Sequence, residues 1–239
     1  MPKWYDVPDM SETNPPSLHS LLFPVFLWFL INEYTPYINR IAFLQPVTAW
    51  LYPLLRIGLV LLVTWLYIRL AEGKTFAGGF HLRFQRIPDP LYWALLYGAA
   101  GVVIIAVFRR LLLNPVLYGR SAAPALAAGL PFPGRMGEAG YLLLRGAVQA
   151  LVLAGFLVDR LRRSHGPAFA LIFANLLFAL WHYPYLKLGI KGGILMMTLA
   201  LLTGFVISLN YLKTQNTLSS VVCYWIIDLP VMVGVLFAW

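Results

Sequence analysis

The chain has 239 residues, 60% apolar and 11% charged, with a net charge of +9 and a mean hydropathy of +0.75. A soluble domain carries roughly a quarter charged residues, so this composition excludes one and points to an all-α, polytopic membrane protein. The positive charge is spread over loops and helix ends, which suits anionic lipid headgroups and argues against a nucleic-acid partner; the one cysteine, Cys223, excludes an internal disulfide and reads as core packing.

Residues 1–20 form a polar arm, with Asp6, Asp9 and Glu12 ahead of any apolar run. A signal peptide would carry positive charge there, so the arm is expected to be retained and to dock on another membrane subunit. Residues 21–239 form the transmembrane domain, with about seven spans. The first apolar run, Leu21 to Ile31, is short for a crossing of about 20 residues. It either tilts or extends through Asn32 and Glu33, and Pro36 is expected to end it. Glu33 reads as an interfacial carboxylate near Arg40.

The second span covers Val47 to Leu70, with Arg56 positioned to snorkel toward the interface. A polar loop, Glu72 to Asp89, follows, and its His81 reads as solvated. The third span is Leu91 to Leu113, where Gly98 and Gly101 suit close helix packing. Asn114 to Gly140 is rich in Pro, Gly and Ala; it either lies on the interface or forms a re-entrant piece. Spans four to seven are placed at Tyr141–Arg160, Pro167–Leu186, Gly193–Leu212 and Leu218–Trp239. Lysine and arginine divide nine against seven between the two sides, a slim bias toward a cytoplasmic N-terminus.

A histidine within an apolar run is rare, because lipid offers it no hydrogen-bond partner. His182 is such a residue, and Phe178 lies four before it on the same helix face. With the basic turn Leu161–Pro167 and with Gly155, this spacing resembles the CPBP family of intramembrane proteases, which includes the CAAX-processing proteases. The resemblance covers about 139–239. The family pattern is Glu-Glu-x-x-x-Arg-Gly on one helix, then Phe-x-x-x-His, then His-x-x-x-Asn or Asp.

Here the paired glutamates fall on Gln149 and Ala150, and the arginine falls on Ala154. In the third motif Asp228 fits the last position, but Tyr224 stands four before it. By the resemblance, the glutamate would activate a water for attack on a peptide carbonyl, with histidines polarising or positioning it. That task needs a proton acceptor near neutral pH, and the amide of Gln149 is none. Gly146, Ala150 and Ala154 form a small-residue stripe suited instead to close helix contact.

Counting from the Arg160 turn at 1.5 Å per residue, Gln149 lies about 16 Å deep, His182 about 22 Å and Asp228 about 15 Å. A polar cluster of Gln149, Asn175, His182, Tyr224 and Asp228 is therefore expected. His182 reads first as a structural residue bonding a carbonyl, with catalysis and metal binding as lesser readings. Asp228 should be protonated or paired, with His182 or with a cation of a partner.

Two functions follow. The first is a catalytically silent subunit, scaffold or assembly factor of a larger membrane complex. The second is a divergent intramembrane protease acting on membrane-embedded or prenylated substrates, with Glu138, His182 and Asp228 as its residues. Glu138, with Arg145 seven residues on as its expected partner, lies about 33 Å back from Arg160 on a continuous helix, beyond the level of His182. No cofactor and no metal site is expected. Localisation is read as the inner membrane of a bacterium, in contact with lipid and other integral membrane proteins.

Overall fold

The computed structural model describes residues 18–38, 45–83, 88–113 and 132–237, and these residues are almost entirely helical. The chain runs through α1 (Leu18–Ile38), α2 (Gln45–Ala71), the single turn α3 (Phe76–Gly79) and α4 (Pro88–Phe108), which ends in a π-helical stretch, Arg109–Leu113. Then come α5 (Phe132–Ala150), a second π-helical stretch (Leu151–Val158) and α6 (Asp159–His165), which together form one long apolar crossing. The remaining elements are α7 (Pro167–Trp181), a 3-10 segment (Tyr183–Leu188), α8 (Ile190–Thr214) and α9 (Thr217–Leu236). Five helical segments among the described residues are long and apolar enough to cross a membrane, and two shorter apolar ones, Leu21–Ile31 and Pro167–Trp181, accompany them. The protein is a polytopic helical membrane bundle.

Two boundaries differ from the sequence reading. Pro36 does not end α1, which continues to Ile38. The fixed φ of proline is itself helical, so the last two residues follow it within the final turn without a break. Span four begins at Phe132 rather than Tyr141, so Glu138 stands on a helix and not in a connection. The docking arm, apart from the first turn of α1, and the 114–131 part of the connection lie outside the described residues.

The centre of the bundle is the π-helical stretch, where every residue from Val152 to Val158 is buried. A helix that is apolar all round belongs in a core, since it has no face to give to water. Phe156 packs edge-on to Trp28 of α1 and to Tyr67 of α2. Trp28 also donates to the Thr64 hydroxyl at 3.0 Å, a bond that ties α1 to α2 in a setting without water. Helix α9 lies against α4 and α5, and α8 against α4 and α7. The α4–α9 approach is close because Gly98 and Gly101 carry no side chain; a Cβ at either would come within 2.8 Å of Ile226 or Ile227. The outward faces of α2 and α4 present Leu62, Leu66, Leu95, Val103 and Val107, as lipid contact requires.

One end of the bundle is closed by a polar clasp. Arg160, buried at the start of α6, makes paired bonds of 2.7 Å to both oxygens of Glu72. It also donates to the carbonyls of Gly79, Gly155 and Phe156. Asp159 beside it takes the phenol of Tyr211 at 2.8 Å, the guanidinium of Arg163 at 2.9 Å and the ring of His81 at 2.9 Å. His81 is thus not the solvated residue that its loop suggests. The loop folds back because Thr217 and Asn216, at the start of α9, bond the backbone of Phe80 and Arg83. Gly155 sits under this loop, where a Cβ would come within 2.7 Å of the Phe80 carbonyl.

Burial alone would raise the Glu72 carboxyl, but the bonds and charges of Arg160 and Lys74 outweigh it and hold the group below its ordinary value of 4.5. A depressed folded-state value makes the carboxylate stabilising above the unfolded value and strips that contribution as pH falls through the folded one. Thermal unfolding in detergent should therefore show wild type losing stability below about pH 4.5, with a shallower slope in Glu72→Gln. Arg160→Ala, which leaves Glu72 without its partner, should cost about 3–5 kcal/mol at neutral pH.

Candidate functional site

The opposite end of the bundle is open. A cavity of about 250 Å³ lies among α2, α5, α7 and the 3-10 segment. Arg56, Tyr141, Arg145, Gln149, His182 and Tyr185 supply its polar lining, with Ile57, Val60 and Val148 among the apolar contributors. Arg56 therefore faces a cavity within the protein as well as standing near the end of its span.

Helix α7 ends at Trp181, and His182 takes the turn that leads into the 3-10 segment. Its Nδ1–H donates to the Phe178 carbonyl at 2.8 Å. That carbonyl is one of those a helix leaves open at its C-terminal end. The bond fixes the tautomer of the neutral ring and leaves Nε2 as the acceptor. The ring stacks on Tyr185, with centroids 6.0 Å apart, and meets Phe178 edge-on at 4.8 Å.

Behind the cavity wall, α5 and α9 are joined by two polar contacts one helical turn apart. The Tyr224 phenol donates to Gln149 Oε1 at 2.5 Å, with both residues buried. Arg145 Nη2 contacts Asp228 Oδ2 at 3.2 Å. Asp228 is thus paired within the chain, by a residue that the sequence reading had assigned to Glu138. Glu138 forms no ion pair among the described residues and does not line the cavity. Gly146 allows this approach; a Cβ there would come within 3.0 Å of the Tyr224 ring.

The structure therefore brings Gln149, Tyr224 and Asp228 together through Arg145, with His182 across the cavity from them. Asn175 stands apart. Its amide donates to the Leu171 carbonyl and its oxygen accepts from Ser208, beneath Gly204. Sequence reasoning missed Arg145 as the partner of Asp228, and Arg56, Tyr141 and Tyr185 as cavity residues. The available signal was an arginine inside an apolar run, Leu142-Leu-Leu-Arg145, which calls for a partner at membrane depth. Among the described residues no three His, Cys, Asp or Glu side chains gather as a metal site would require.

Residues 139–230 match the family model described as type II CAAX prenyl endopeptidase Rce1-like. This stretch of the chain is similar to that family. It runs from the middle of α5 to Pro230 in α9 and so contains Arg145, Gln149, His182, Tyr224 and Asp228. No curated protein and no solved structure matches the chain significantly. Within the matched part, Gln149 and Tyr224 touch each other, an amide and a phenol joined through a single hydrogen bond.

The Arg145–Asp228 contact should behave as a coupled pair. In a double-mutant cycle of Arg145→Ala and Asp228→Ala, read by thermal unfolding, the double variant should be less destabilised than the sum of the singles by about 0.5–3 kcal/mol. Strict additivity would show that the contact carries no energy.

Proposed function

We propose that this chain is a catalytically silent CAAX-protease-like integral membrane protein, acting as a subunit, scaffold or assembly factor of a larger complex in the cytoplasmic membrane of a bacterium. The observation that carries the proposal is the Tyr224–Gln149 hydrogen bond. A general base must accept a proton near neutral pH and lie within reach of the attacking water. Gln149 cannot accept one, and its side-chain oxygen is already occupied by the phenol. Among the described residues, the one carboxylate bonded to a cavity-lining residue, Asp228, is committed to Arg145. What remains at the cavity is His182, held by its Nδ1–H as a turn-forming residue.

The partner role draws on the same loss of chemistry and on the polar arm. A chain that keeps the bundle and abandons the base has its helix faces and its termini left to offer.

Two measurements test this reading. Purified wild type, Glu138→Gln and His182→Ala should all fail to cleave membrane-anchored peptides. His182→Ala should lower thermal stability by about 1–3 kcal/mol, the cost of leaving its partner unsatisfied, and Glu138→Gln should change little. Cleavage by wild type that both folded variants lose would overturn the silent reading in favour of a divergent protease. Separately, deleting Met1 to Pro16 should reduce the recovery of membrane partners that copurify in mild detergent while leaving the chain folded. Unchanged recovery would remove the arm from the proposal.

A further inference from the structure

Three guanidinium groups gather at the open end of the bundle, and one carboxylate answers them. Arg56 and Arg145 line the cavity. Arg109, in the π-helical end of α4, lies within electrostatic reach of Arg145, Asp228, Tyr224 and Tyr185. Asp228 pairs with Arg145, and no carboxylate among the described residues pairs with Arg56 or Arg109. The Nε of Arg145 is buried without a hydrogen-bond partner among the described residues. Guanidinium stays charged at any physiological pH and presents its donors in a rigid fork. A built cavity with excess positive charge and a spare buried donor is complementary to an anion.

The placement says which anion. Arg56 lies 16 residues before Glu72 of the clasp along α2, about 24 Å at 1.5 Å per residue and so most of the way across a bilayer core of about 30 Å, and Arg109 lies in the π-helical end of α4. Pro184 and Tyr185 follow the end of α7. The cavity is therefore at one membrane boundary, the level of lipid headgroups. Its remaining lining, Ile57, Val60 and Val148, is apolar, and Leu54 and Leu55 are exposed beside Arg56. A volume of about 250 Å³ holds a headgroup while its acyl chains stay outside. Basic pockets between transmembrane helices bind acidic headgroups through the same chemistry.

We infer that this cavity binds the phosphate of an anionic lipid, with Arg56 and Arg145 as its phosphate ligands. The inference concerns the cavity treated above but goes beyond the silent-subunit reading. It is measured without any cleavage assay, so the two fail separately.

The test uses the full chain reconstituted in nanodiscs of equimolar phosphatidylglycerol and phosphatidylcholine, released into detergent, with retained lipids counted by native mass spectrometry. Phosphatidylglycerol should be retained in preference. Arg56→Gln should lower that preference about tenfold, the loss of one charge-assisted contact. Arg69→Gln, an exposed charge at the other end of α2, should leave it unchanged. Arg145→Lys keeps a cation for Asp228 but removes the Nε donor, and it too should weaken retention; it decides the matter if Arg56→Gln does not fold. Added inorganic phosphate should not displace the lipid. Equal retention of the two lipids, or an Arg69→Gln effect as large as that of Arg56→Gln, would overturn the inference. Binding of inorganic phosphate with no lipid preference would overturn it as well, by making this a site for the free ion.

Discussion

A guanidinium taken out of water has five N–H donors to satisfy, and everything else in this bundle is arranged around how Arg160 satisfies them. Both oxygens of Glu72 and the carbonyls of Gly79, Gly155 and Phe156 supply five acceptor contacts from the π stretch and the segment after α2. Phe156 also lies beneath its charge, 4.5 Å from ring centroid to Cζ. Removing one partner of such a group leaves the rest buried and charged, which is why a single contact fixes so much. The Glu72 bond holds the end of α2, the Gly79 bond holds the loop, and the loop in turn bonds the start of α9. Three crossings are thus set relative to one another at one membrane boundary.

The two ends of the bundle consequently have different characters. At the clasp every base is tied to a carboxylate: Arg160 and Lys74 to Glu72, and His81, Arg162 and Arg163 to Asp159. At the cavity, among the described residues, Arg145 is paired with Asp228 and Arg56 is paired with no carboxylate. A closed end whose bases are all paired and an open end whose bases are not suit a molecule whose rigid half holds the geometry of its receptive half.

Much of this was legible in the sequence, and the exceptions have physical reasons. Apolar length alone marks the spans, because lipid imposes it. The resemblance carried by Phe178, His182 and Asp228 leads to the cavity end of the bundle, and depth counting places Gln149 near Asp228. What counting cannot supply is helix rotation. Arg145 and Asp228 are 83 residues apart, and only the facing of α5 and α9 makes them a pair. Asn175 shares a spacing with His182 yet turns toward Ser208 on α8. His81 reads as solvated because nothing near it in the chain hints at an aspartate 78 positions on. Pro36 reads as a helix end because it removes a donor, and α1 runs only two residues past it, to Ile38.

The π-helical stretch changes what a residue count means. Its hydrogen bonds reach five residues back rather than four, so each turn holds more residues and the helix climbs less per residue. Depths counted at the α-helical rise are therefore too large for Gln149 and, by the same amount, for Glu138. It also uncouples angle from spacing. The half that carries Arg145 and Gln149 is aimed at α9, the half that carries Arg160 is aimed at the loop, and the wide turns between them set the offset. One residue of an α-helix is worth about 100° of rotation. The natural way to re-aim one end of this crossing without disturbing the other is thus a one-residue insertion or deletion between 151 and 158, a change that no substitution can imitate.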